Sequence, residues 1–158
     1  MWQIGVWEQS EGLAERICTL AEPCPALVRA CSHPALLAGV DLDLLVVSPG
    51  AMGWAGAISI CCKRALLPGG LSALTRTLPA ADILSYGPSP RNTITLSGLN
   101  EGTAAVAIQR EFPDLNGCSV ERQELVLPFD GTITPDLFLA QVGAALLLGR
   151  LPQKPKQP

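Results

Sequence analysis

Ser48-Pro49-Gly50-Ala51-Met52-Gly53-Trp54-Ala55-Gly56 is the stretch whose residue types and spacing come nearest to a ligand site. It leaves an apolar run and enters a helical pattern. Glycines let backbone amides approach a phosphate closely, and the first amides of a helix add a favourable dipole. The G-x-x-G-x-x-G spacing differs from the dinucleotide fingerprint, which has its second glycine one residue sooner, and it lacks the lysine of the nucleotide-binding loop. The competing reading is a tight turn with close helix–sheet packing. Three further segments end apolar runs in the same way: Glu8-Gln9-Ser10, Pro68-Gly69-Gly70 and Ser85-Tyr86-Gly87. If those runs are parallel strands, all four segments share one edge, where open α/β sheets bind ligands. Arg91 follows closely and is the best anion anchor there. Ser48, Gly50, Gly53, Gly69, Gly70, Tyr86 and Arg91 are thus the candidate ligand-binding residues.

Other chemistry is poorly served. His33 is the single histidine, with Cys31 beside it and Cys18 and Cys24 upstream. Their spacings are not those of common structural zinc sites, so no metal is expected. A Cys–His nucleophile pair is no better supported by sequence adjacency. The carboxylates are scattered; Asp41 and Asp43 frame a turn, and Asp130 and Asp136 sit at a turn and a helix start. No cofactor is expected, and the balance leans against an enzyme because no nucleophile, base and orienter come together. Six cysteines in 158 residues are too few to act as staples, so buried thiols are expected at Cys61-Cys62.

The elements that must position these residues follow from patterning. The chain is 48% hydrophobic and 16% charged, with eleven Lys+Arg against fourteen Asp+Glu and a net charge of −3. That balance suits one packed domain over residues 1–150, followed by a Pro-rich flexible tail at 151–158. No basic cluster exceeds Lys63-Arg64, so nucleic acid is not an expected partner. Leu44 to Cys62 has no charged side chain, but Pro49, Gly50, Gly53 and Gly56 interrupt it, which argues against a membrane span. No secretory pattern opens the chain, so the expectation is cytoplasmic.

Trp2–Trp7 reads as a strand, followed by a helix to about Ala21 that Ser10 can cap. Ala26–Cys31 is a second strand and Pro34–Val40 a short helix or turn. Asp43–Ser48, apolar on both faces, reads as a central parallel strand. A short helix is expected near Trp54–Ile60, a strand at Ala65–Leu67, a two-turn helix at Leu71–Leu78 and a strand at Ile83–Tyr86. The pattern then changes: Thr93–Ser97, Ala104–Glu111 and Val120–Leu127 read as an antiparallel meander, with Asn116-Gly117 as a hairpin turn. Thr134-Pro135 opens a helix that Gly149 closes. The fold class is therefore α/β: a three-layer Rossmann-like sheet with a parallel N-terminal part and an antiparallel C-terminal extension.

From Ile83-Leu84-Ser85-Tyr86-Gly87 onward, the order of elements resembles the end of the central domain of the Mur ligases, the peptidoglycan-building enzymes. A strand ending in an aromatic and glycine, antiparallel strands, and Pro128-Phe129-Asp130-Gly131 before an alanine-rich helix are similar in order there, over residues 83–150. The ligase loop ending Gly-Lys-Thr/Ser is absent, so the resemblance carries no ATP-dependent chemistry. The chain also looks like bacterial α/β proteins that share Leu-Leu-Pro-Gly (66–69) and then Ser-Tyr-Gly (85–87), which implies a fold and no activity.

Three functions follow in order. The first is non-catalytic binding of a small anionic ligand or nucleotide at the glycine edge. The second is a protein-interaction or scaffold subunit, with a homodimer as one form. The third is an enzyme related to cell-wall ligases that lacks the ATP loop.

Overall fold

Asp41–Val47 carries apolar side chains toward both faces, with Leu44, Leu45, Val46 and Val47 fully buried, so it can only sit in the middle of a covered sheet. The computed structural model, which describes residues 1–21, 26–52, 60–71 and 78–150, places it there. The strands are β1 (Trp2–Trp7), β2 (Ala26–Cys31), β3 (Asp41–Val47), β4 (Cys61–Pro68), β5 (Asp82–Tyr86), β6 (Ile94–Asn100), β7 (Thr103–Ile108), β8 (Phe112–Pro113), β9 (Ser119–Val120) and β10 (Gln123–Pro128). Eight of them form one sheet in the order β10-β7-β6-β5-β4-β3-β1-β2. Strands β2, β1, β3, β4 and β5 are parallel, and β5 meets β6 in parallel through Tyr86 and Ile94 alone. Strands β6, β7 and β10 are antiparallel, as the alternation of residues 93–127 predicts. The fold is a mostly parallel α/β sheet with an antiparallel extension.

Helix α1 (Leu13–Ala21) buries Leu13, Ala14, Ile17 and Ala21. Helix α2 (Pro135–Leu147) buries nine of its 13 residues, so most of its surface is covered by the rest of the fold. One apolar cluster joins α2 to Leu44, Val46 and Leu66 of the parallel strands, to Val106 and Leu125 of the meander, and to Ile17 of α1. The helix meets the sheet closely because residue 143 is glycine: a Cβ there would lie 2.7 Å from Leu66 Cδ2 and 3.0 Å from Ile94 Cδ1. Its N-terminus is capped as the sequence predicts, by Thr134 Oγ1 accepting from Leu137 N–H at 3.2 Å. Its C-terminus ends with Gly149 at φ +70, Arg150 N–H on Ala145 O at 2.8 Å and Gly149 N–H on Leu146 O at 3.1 Å, a Schellman closure.

Several expectations change. Ser10 does not cap α1; it takes φ +55 in the loop before it, and Glu8 reaches over to accept from Ala14 N–H at 2.9 Å. Asn116-Gly117 is not a two-residue turn with both residues at positive φ. Gly117 alone has φ +83, and Gly117 N–H bonds Asp114 O at 3.1 Å. The tip belongs to the small β8–β9 hairpin inside the longer β7–β10 connection. Asp114 Oδ1 organises it by accepting from the amides of Asn116 and Cys118, and the Arg64 guanidinium ties it to the sheet through Pro113 O at 2.6 Å and Asp114 O. Cys62 is buried but Cys61 is exposed, because neighbouring residues of a strand face opposite ways. The two helices expected near residues 54–60 and 71–78 fall largely outside the described residues. Among the described residues, no helix is long and apolar enough to cross a membrane.

Candidate functional site

Ser48, Gly50, Gly69, Gly70 and Tyr86 follow or end β3, β4 and β5, so parallel pairing brings them to one edge of the sheet. Gly53 lies outside the described residues. The polar groups of this edge face partners from the chain itself. Ser48 is fully buried and its hydroxyl donates to the Glu11 carboxylate. The same carboxylate accepts from Gly50 N–H at 3.3 Å and Gln9 N–H at 3.2 Å. A Cβ at Gly50 would lie 2.8 Å from Glu11 Oε1, so glycine is what lets the carboxylate sit against the backbone. Gly69 and Gly87 do the same for Asn92: a Cβ at Gly69 would come 2.2 Å from Asn92 Oδ1, and one at Gly87 2.9 Å from Asn92 Nδ2.

Tyr86 is fully buried and its hydroxyl donates to Val47 O at 2.5 Å, tying β5 to β3 across β4. Burial, with smaller contributions from the Glu11 and Asp136 charges, pushes its phenol well above the usual range, so it is a neutral donor. Arg91 is exposed on the loop after β5, where its carbonyl accepts from the Arg110 guanidinium. The residue of that loop that turns into the edge is Asn92, which is buried. His33 Nδ1 accepts from Ala35 N–H at 3.1 Å, so the lone histidine caps the 3-10 turn Pro34–Leu37. Glu11 is the residue sequence reasoning missed. Its signal was a carboxylate in the β1–α1 loop, where a phosphate-binding protein places glycine and lysine.

A different place on the molecule is open. The stripe Phe138, Gln141, Val142 and Ala145 of α2 forms the floor of a groove between α1 and β10. Its more polar half, about 260 Å³, also meets Arg16, Asp130 and Thr132. Its apolar half, about 200 Å³, meets Leu20, Leu127 and Pro128. Phe129 and Phe138 stack at 4.7 Å between centroids with planes tilted by 44°. Asp130 is held below the usual carboxylate range, first by hydrogen bonds from Thr132 and in lesser part by the Arg16 charge.

No family model matches the chain, and no curated protein matches it in sequence. Among solved structures it resembles MurF from Acinetobacter baumannii in two crystal structures. One aligns with TM-score 0.57 at 12% identity over 94% of this chain and 43% of that one. The other gives TM-score 0.52 at 10% identity over 93% and 42%. The likeness is one of fold. The chain spans less than half the length of the MurF chains it matches.

Proposed function

We propose that this chain is a non-catalytic module with a Mur-ligase-like fold, whose nucleotide edge is closed by its own side chains and which acts through contact with a protein partner. One observation carries the reading: the Glu11 carboxylate occupies the amide of Gly50 and the hydroxyl of Ser48, the groups that an anion would need. A phosphate-binding loop runs strand, glycine-rich turn with lysine, helix. Here β1 leads through Glu8-Gln9-Ser10-Glu11-Gly12 into α1. Two carboxylates stand where positive potential is needed, and Glu8 has taken a first-turn amide of the helix. An anion entering this edge must displace Glu11 and then face its charge, so the anionic-ligand reading gives way to the interaction reading. The cell-wall ligase relation survives as fold, without the loop that would supply ATP chemistry.

Thermal shift and calorimetry with inorganic phosphate, ADP and ATP, each with and without magnesium, test this. A ligand at one hundred times its Kd stabilises a folded protein by about 2.7 kcal/mol. The expected result is no stabilisation at millimolar concentration. A saturable rise in Tm with ATP or phosphate that Arg91→Ala weakens returns the edge to ligand binding and ends the proposal.

A further inference from the structure

We infer that the β10 edge receives an extended peptide that alternates apolar and basic residues and pairs with β10 as a ninth strand; this rests on the interaction reading above. β10 ends the sheet order, and none of the described residues pairs with its outer side. Such an edge offers backbone donors and acceptors to another chain. Along β10 the side chains alternate: Leu125 and Leu127 turn inward, while Glu124 and Val126 are exposed, Val126 at 68%. A strand laid beside β10 would extend the sheet over the α2 stripe. Its inward side chains would enter the apolar half of the groove, against Leu20, Val142 and Ala145. Those positions call for apolar residues of moderate size.

The outward positions are set by charge. Glu101, Glu121, Glu124 and Asp130 are exposed around this edge, with Arg122 the exposed cation on the same stretch. Of the other nearby cations, Arg16 faces Asp130 across the groove, Arg150 donates to Ala21 O and Arg110 donates to Arg91 O. A neighbouring strand with Lys or Arg on its outer face would meet Glu124 as a cross-strand pair, and an acidic one would be repelled. Alternation of apolar and basic residues satisfies both faces at once. A second copy of β10 matches this edge less well: it offers one cation, Arg122, against Glu121 and Glu124.

Fluorescence anisotropy with labelled hexapeptides tests the inference. The alternating valine–lysine peptide should bind saturably. The block-order peptide of the same composition, the alternating valine–glutamate peptide, and the valine–lysine peptide N-methylated at alternate residues should each bind at least about tenfold more weakly. Glu124→Lys, on the exposed face and free of the core, should weaken the first peptide by about tenfold. Gln141→Trp, which fills the groove floor, should abolish binding while circular dichroism shows the fold retained. Equal binding of the alternating and block-order peptides, no loss on N-methylation, or no binding at all would overturn the inference. So would a concentration-dependent dimer in sedimentation that Gln141→Trp dissolves. None of these outcomes bears on the nucleotide titrations, so the two proposals can fail separately.

Discussion

The glycine edge at the ends of β3, β4 and β5 and the groove beside β10 are opposite solutions to one problem. Each is a place where a sheet leaves groups unpaired: loop amides and hydroxyls at the first, a strand's outer edge at the second. At the glycine edge the chain supplies its own partners. Glu11 serves Ser48 and Gly50, Tyr86 serves Val47, and Asn92 fills the space that Gly69 and Gly87 leave. At the β10 groove none of the described residues supplies one, and the floor is a mostly apolar stripe with two aromatic rings at one end. Glycine content therefore marks close approach, and here what approaches is the chain's own side chains. The open surface carries no motif at all.

The sharpest way to break this comparison is to remove the carboxylate that closes the edge. Glu11→Ala strips a charged acceptor from Ser48 Oγ, which is buried, and from Gly50 N–H. Hydrogen bonds to charged groups contribute about 1.5–3 kcal/mol, so urea unfolding should show a loss of that order, partly recovered in Glu11→Gln. An unchanged midpoint would mean that Glu11 is an exposed side chain of no consequence and that the edge is open after all. Tyr86→Phe comes next. It leaves Val47 O without its donor and should cost about 1 kcal/mol in the same experiment. Val126→Thr on β10 should change stability by less than about 0.5 kcal/mol, because that side chain is mostly exposed. A larger loss there would show the β10 edge to be covered.

How legible was each region in the sequence? The parallel strands, the meander and the long helix were readable because their signals are local: a doubly apolar run, period-two alternation, a Thr-Pro start and a glycine stop. Convergence of Ser48, Gly69 and Tyr86 followed from parallel pairing alone. Their partners did not. Glu11 and Ser48 are far apart in the chain, and Asn92 reaches Gly69 across a turn, so periodicity says nothing of either. Arg91 was favoured for its charge, while the neighbouring Asn92 has the size and the donor–acceptor pair that fit a gap between two glycines. The groove by β10 was unreadable for a further reason. Phe138, Gln141, Val142 and Ala145 look like any helical stripe, and nothing in their spacing says that a groove lies over them.

The smallest expected effect concerns Cys61 and Cys62, which sharpen the rule that adjacent strand residues live in different environments. Burial pushes the Cys62 thiol up to about 11, with a lesser push from Cys61. At pH 8 it is therefore a neutral thiol and sterically shielded, whereas Cys61 is exposed. Light and heavy iodoacetamide applied in sequence, before and after denaturation, should place the light label on Cys61 and the heavy label on Cys62. The sign of the pH effect follows from the same shift. A group whose folded pKa is raised contributes stability that is whole below its unfolded value, here 9.0, and is lost as pH climbs toward 11. Cys62→Ala should thus flatten the fall in stability between pH 9 and 11. Light label on both cysteines at pH 8 would place Cys62 in contact with solvent and remove the distinction between the two faces of β4.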